Sequence, residues 1–125
     1  MSNIVDSSAW LEYFAGTKNG HNFSTAIEDL ENLIVPSVVL FEVFKKILIE
    51  KDETEAINKT AHMRLGKVIE IDSDIAILSA KIGHEMGLRA MDSIIYAIAW
   101  LNNSTLWTQD ADFKNFDGVK YFQKS

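Results

Sequence analysis

Leu33-Ile34-Val35-Pro36-Ser37-Val38-Val39-Leu40-Phe41-Glu42-Val43-Phe44-Lys45-Lys46-Ile47-Leu48 passes from a short apolar run, through the only proline of the chain, into helical spacing. Leu33 to Val35 predicts a buried strand. Ser37 then starts a helix through Glu50, with Val38, Phe41, Phe44, Lys45 and Leu48 at steps of three and four. The same succession recurs outward in both directions. Ile4-Val5 predicts a strand ending at Asp6, after which Ser7 or Ser8 caps a helix carrying Trp10, Leu11 and Phe14. Lys67 to Ile71 predicts a third strand. Asp72 to Asp74 then opens a helix to Met86, with acids suited to the positive end of its dipole. Thr105 to Thr108 predicts a fourth strand, and Val119 to Phe122 an edge strand.

Between these lie a loop bracketed by Gly16 and Gly20, a helix from Ser24 to about Asn32, and a more polar helix from Glu53 to Leu65 that Gly66 ends. Ala90 to Leu101 is apolar nearly all round, which predicts a helix in the middle of the fold. Gln109 to Asp117 reads as a loop with a short helical turn. Strands alternating with helices predict an α/β chain with a mainly parallel sheet of four to five strands, covered on both faces.

Bulk properties narrow the function. At 125 residues, residues 1–125 are expected to form one domain. The apolar runs are too short or interrupted to span a bilayer. The opening Met-Ser-Asn-Ile-Val-Asp lacks the basic and apolar regions of a signal peptide. With no cysteine, a disulfide framework and a thiolate metal site are excluded, and a cytoplasmic protein is expected. The net charge of −6 argues against broad nucleic-acid binding through a basic surface. It leaves open a carboxylate site, in which a bound cation inverts the local sign.

Four acids stand where predicted strands end or helices begin: Asp6, Glu42, Asp92 and Asp110. In parallel sheets, ligands bind beyond the carboxyl ends of the strands, so all four can face one crevice. Converging carboxylates make a cage for a hard divalent cation. Each also has a plainer role. Asp6 suits an N-cap, and Glu42 is spaced to pair with Lys45 or Lys46. Asp92 suits a helix dipole or a pair with Arg89, and Asp110, like Asp112, suits a solvated loop. Glu42 is flanked by Phe41, Val43 and Phe44, which leaves little room for an ordinary exposed face. The histidines (His21, His62, His84) lack ligand spacing, no Ser-His-Asp arrangement can be argued, and no glycine-rich phosphate loop is present. Trp10, Trp100 and Trp107 read as core or interface residues.

Four segments together resemble the PIN domains of VapC-type toxins: Ile-Val-Asp-Ser-Ser-Ala-Trp-Leu-Glu-Tyr-Phe from Ile4, Val-Pro-Ser-Val-Val-Leu-Phe-Glu-Val from Val35, Gly-Leu-Arg-Ala-Met-Asp-Ser-Ile-Ile-Tyr-Ala-Ile-Ala from Gly87, and Leu-Trp-Thr-Gln-Asp-Ala-Asp-Phe from Leu106. They occur in the family's order across essentially the whole chain. The resemblance implies a three-layer α/β/α fold and a Mg²⁺- or Mn²⁺-dependent endoribonuclease, the toxin of a toxin–antitoxin pair. It places Asp6, Glu42, Asp92 and Asp110 at the metal-binding acidic positions, with Asp112 as a secondary one. Ser7 or Thr108 would hold a carboxylate or water. It further implies structured RNA such as tRNA as substrate, and an antitoxin that pushes a basic peptide into the acidic groove. Lys45, Lys46, Lys51, Arg89 and Lys114 are the candidates for phosphate contacts, and the sequence gives no order to them. Trp10, Tyr13 and Phe14 would form a homodimer face. Two departures are Asp-Ser for Asp-Ala at Asp92 and Thr-Gln-Asp for Thr-Arg-Asp at Gln109. The second predicts weaker RNA contacts beside the site.

Two other readings have distinct signatures. A receiver-type phosphoacceptor requires an acidic pair after the first strand and a lysine near the end of the last; here Asp6 is followed by two serines. The same serines exclude the Asp-x-Asp of a haloacid-dehalogenase-type phosphatase. A catalytically silent binding module on the same fold has no reason to keep clustered carboxylates.

Overall fold

In the computed structural model, which describes residues 1–124, five strands form one sheet. They are β1 (Asn3–Val5), β2 (Leu33–Pro36), β3 (Lys67–Ile69), β4 (Thr105–Thr108) and β5 (Val119–Tyr121). Their order is β3-β2-β1-β4-β5, and every neighbouring pair is parallel. The expected α/β sheet is therefore wholly parallel. Its three inner strands are almost fully enclosed: Ile4, Val5, Leu33, Val35 and Leu106 are at most 1% exposed. That is why they read as unbroken apolar runs rather than as alternating ones.

Seven helices connect the strands. α1 (Ser7–Ala15), α2 (Lys18–His21) and α3 (Ser24–Glu28) lie between β1 and β2. α4 (Ser37–Glu50) and α5 (Glu53–Met63) lie between β2 and β3, and α6 (Ser73–Met86) and α7 (Ala90–Leu101) between β3 and β4. The chain steps outward from β1 to β3, then returns to the other side of β1. Right-handed crossovers therefore place α1–α5 on one face and α6–α7 on the other. The reversal makes a topological switch point between β1 and β4, which is where an open parallel sheet binds its ligands. No helix among the described residues is long and apolar enough to cross a membrane.

Several elements differ from the sequence reading. The loop expected between Gly16 and Gly20 gives way at Lys18 to α2, which runs through Gly20 to His21. Gly16 closes α1 with a left-handed φ of 69°, and Gly20 lies so close to α1 that a Cβ there would sit 2.2 Å from the Glu12 carbonyl oxygen. The helix expected from Ser24 to Asn32 breaks at Asp29, whose ψ of 74° is not helical, and resumes as a 3-10 turn over Leu30–Asn32. β3 stops at Ile69, because its partner β2 ends at Pro36 and leaves Glu70 nothing to pair with. On α4 the core face is Val39, Val43 and Ile47 with Val38, not the Phe41–Phe44–Leu48 row. Phe41 is 54% exposed. The helix is apolar on two sides, and the second side lines a groove with Ile57 of α5 and Arg64 just after it.

The aromatic expectations also change. Trp10 is fully buried and packs with Tyr13, Phe14 and His62 of α5. This cluster joins α1 to α5 inside the chain, so Trp10 is not part of an exposed dimer face. α7 is buried through Ala99, but Trp100 is 64% exposed. The helix runs through the fold and emerges at its C-terminal end.

Candidate metal centre

Asp6 follows β1 directly and is itself the N-cap of α1, with extended backbone and its Oδ1 accepting from the Ala9 N–H at 3.0 Å. The cap expected at Ser7 or Ser8 is therefore one residue earlier. Ser8 Oγ–H also donates to Oδ1, at 3.3 Å, and Thr108 Oγ–H donates to Oδ2. The register that sets Val5 beside Trp107 brings Asp6 next to Thr108, and the Asp6 N–H continues the ladder to the Trp107 carbonyl. Asp6 is 4% exposed. Burial raises its pKa to about 6, against the pull of its three hydrogen bonds, and the nearby Asp110 adds to the rise.

Asp110 begins the loop after β4. Its N–H donates to Thr108 Oγ at 2.9 Å, and its own Oδ1 accepts from the Asp112 N–H at 2.9 Å. Thr108 thus links the buried Asp6 to the backbone of Asp110. Across the crevice, Asp92 lies in the first turn of α7, near the helix's positive end. Burial, then Asp110, raises its pKa to about 6; Arg89 opposes the rise, while Glu42 and Asp112 add to it. Asp92, Asp110 and Asp112 each present an oxygen within 4.8 Å of the others. Asp6 and Glu42 stand outside this trio, but Asp6 senses the field of Asp110 and Asp92 senses that of Glu42.

Glu42, half-buried in the second turn of α4, accepts a hydrogen bond from Ser7 Oγ at 2.5 Å. The intrahelical pairs open to it on spacing alone do not form. Lys46 pairs with Glu50 at 3.2 Å, and Lys45 lies over the Phe41 ring, 5.9 Å from its centroid. Both candidate phosphate-binding lysines of α4 are thus turned toward other groups. Lys114 lies over Tyr121. Arg89 is the base that reaches the trio, at 3.7 Å from Asp92 and 3.6 Å from Asp112.

A polar pair next to the site was not apparent in the sequence. Gln109 is 5% exposed and accepts a hydrogen bond from the buried Asn19 of α2 at 2.5 Å. It anchors the loop that carries Asp110. Its departure from the usual Thr-Arg-Asp therefore replaces a base with a buried amide tie, rather than removing a charge from an open surface. The usable signal was the polar residue continuing the buried run Leu106-Trp107-Thr108.

The donor set fits a hard divalent cation. Every candidate ligand is a carboxylate, and two carboxyls are raised to about 6 by burial and like charge. A single arginine, 79% exposed, stands against them.

Residues 4–119 match the family model of the PIN domain. No curated protein sequence matches the chain. Among solved structures, the chain is similar to a toxin–antitoxin complex from Klebsiella pneumoniae, with TM-score 0.78, 24% identity, 98% of this chain covered and 100% of that one. It is similar to VapBC2 from Rickettsia felis bound to a promoter DNA fragment, with TM-score 0.74, 15% identity and 98% of each chain covered. It is also similar to VapC20 of Mycobacterium tuberculosis, a sarcin–ricin loop cleaving toxin, with TM-score 0.73, 17% identity, and 90% and 93% covered. At these identities the likenesses establish the fold. The strand order also separates this chain from the receiver-type reading, since a flavodoxin-like 2-1-3-4-5 sheet places β1 beside β3 rather than β4.

Proposed function

The chain belongs to the PIN-domain family, and on that premise we propose that it is a divalent-metal-dependent endoribonuclease acting as the toxin of a toxin–antitoxin pair. The observation that carries this reading is the convergence of acids from four separate segments on the switch point, with Asp92, Asp110 and Asp112 within 4.8 Å of one another. Carboxylates this close repel, and Asp92, which is partly buried, carries a desolvation cost as well. A divalent cation would offset both.

Asp92, Asp110 and Asp112 would hold Mg²⁺ or Mn²⁺, with Asp6 behind them. Bound there, the cation supplies Lewis-acid stabilisation of charge on the phosphoryl oxygens and lowers the pKa of water. The protein's own contribution is positional. Asp6, through Thr108, fixes the backbone of Asp110. Glu42 lies outside the trio and is oriented by Ser7, so we assign it the proton of the attacking water. Purified protein should cleave RNA in Mn²⁺, and Asp92→Asn should lose cleavage with its thermal melt intact. Undiminished cleavage by that variant would sink the assignment.

The proposed substrate is structured RNA such as tRNA, to be tested by mapping cleavage ends on total RNA. The proposed protein partner is a cognate antitoxin. Three similar structures are toxin–antitoxin or VapBC assemblies. An arginine or lysine of its peptide would pair with the trio in place of metal. For a homodimer, buried Trp10 is not available, and the exposed apolar side chains lie on α6 and α7 (Ile77, Trp100, Leu101) and on α4 and α5 (Phe41, Ile49, Ile57); light scattering decides the state. The protein is expected to act in the cytoplasm.

A further inference from the structure

Arg89 combines a fixed backbone with a free head. It is the N-cap residue of α7, with extended backbone (φ −68°, ψ 163°). Its carbonyl accepts both the N–H of Ser93, at 2.9 Å, and the Oγ–H of Ser93, at 2.8 Å. Ser93 in turn is pressed against α6, where a Cβ on Gly83 would lie 2.3 Å from its Oγ. The Cα of Arg89 is thereby held against two helices. Its side chain is 79% exposed and extends over the acids, with Nε 3.7 Å from Asp92 Oδ2 and Nη2 3.6 Å from Asp112 Oδ2.

These distances exceed those of a charge-assisted hydrogen bond, about 2.7–2.9 Å. The guanidinium is held by the field of the two carboxylates rather than locked in a fork, and it can leave at little cost. Asp92 and Asp112 are two of the three acids whose oxygens converge. A divalent cation entering the trio needs the same two carboxylates and repels the guanidinium.

Building on the metal-site reading above, we propose that Arg89 is a resident counter-ion of the acidic trio: the divalent cation must displace it, and the released guanidinium then takes a phosphate of the RNA. The five donors of a guanidinium suit a phosphate, and the clamped Cα keeps the head within one side-chain length of the metal acids. Arg89 is thus a substrate-binding residue with two stations, and it sets the cation affinity of the site.

The proposal requires effects of opposite sign on the two ligands. Calorimetric titration of the purified full chain with Mn²⁺, without RNA, should show Arg89→Gln binding roughly threefold to tenfold tighter than the unsubstituted protein, the scale of one or two exposed ion pairs. Arg89→Lys should fall between them, since a point charge restores part of the competition. In cleavage assays at saturating Mn²⁺, Arg89→Gln should raise KM for RNA with kcat little changed. Arg89→Met, which keeps an apolar stem, should repeat the tighter Mn²⁺ binding. Unchanged or weaker Mn²⁺ binding in both Arg89→Gln and Arg89→Met overturns the proposal while leaving the metal site standing. If the unsubstituted protein binds no Mn²⁺ that Asp92→Asn abolishes, the metal-site reading fails and this inference falls with it.

Discussion

The two halves of the crevice are built differently. The inner half, Asp6 and Thr108 between β1 and β4, is sealed: both side chains are at most 4% exposed, and Asp6 accepts hydrogen bonds on each oxygen. The outer half, Asp92, Asp110 and Asp112, is open and internally repulsive, with one loose arginine across it. The inner acid is a structural member that also shapes the field. The outer acids have local uses, Asp110 as the cap of the 3-10 turn and Asp92 at the positive end of α7, but neither use requires the three to converge. The contrast predicts that substitutions in the first half act on stability and those in the second on the proposed ligand capture, so the two properties should separate.

The largest effect should come from the outer half. Asp92→Asn or Asp110→Asn should reduce Mn²⁺-dependent RNA cleavage by roughly a hundredfold or more, since a metal's charge stabilisation is worth several kcal/mol. Neither should lower the thermal midpoint. A variant that loses both activity and fold would erase the distinction between the halves.

Thr108→Val tests the inner half. It keeps the shape but removes the donor to Asp6 and the acceptor of the Asp110 N–H. A loss of about 1–3 kcal/mol in urea unfolding is expected, along with a further rise of the Asp6 pKa by NMR titration. Ser7→Ala probes the link to Glu42. It should slow cleavage about tenfold, the scale for losing an orienting partner, and leave calorimetric Mn²⁺ affinity unchanged. An equal loss of affinity would place Glu42 among the metal ligands instead.

The smallest effect is a pH dependence without metal. The folded pKa values of Asp6 and Asp92 are raised from 3.8 to about 6. The native state therefore holds their protons more tightly than the unfolded chain does. Their stabilising contribution is complete below about pH 4 and is lost as pH rises through about 6. Asp92→Asn, which cannot ionise, should gain thermal midpoint relative to the unsubstituted protein between pH 5 and pH 7.5. A gap equal at both values would show that Asp92 titrates normally. Mn²⁺ should stabilise the unsubstituted protein more at pH 7.5 than at pH 5.

The strand–helix succession was legible because the inner strands are buried on both faces and so lie in plain apolar runs. The acids at strand ends were legible for the same reason, as each charge stands out against its run. Arg89 beside Asp92 followed from helical spacing. What stayed hidden depends on long-range packing. The apolar surplus of α4 concealed which side faces the core, and the end of β3 is fixed by where β2 turns into α4. The tie between Asn19 and Gln109 spans 90 residues, and two ordinary amides give no local sign of it. The sequence left Asp110 and Asp112 competing for one role; in the fold the Asp112 N–H donates to the Asp110 carboxylate, which caps the 3-10 turn and holds the two together.

The place of β4 has a consequence during synthesis. Asp6 leaves the ribosome 102 residues before its partner Thr108, and Asp110 and Asp112 follow later still. At about 5–20 residues per second, several seconds separate the first acid from the last. Until β4 pairs with β1, the trio does not exist. A chain stalled before Asp110 would carry the first acid of the crevice without its outer trio, so any chemistry of the site begins only after Asp112 has been translated.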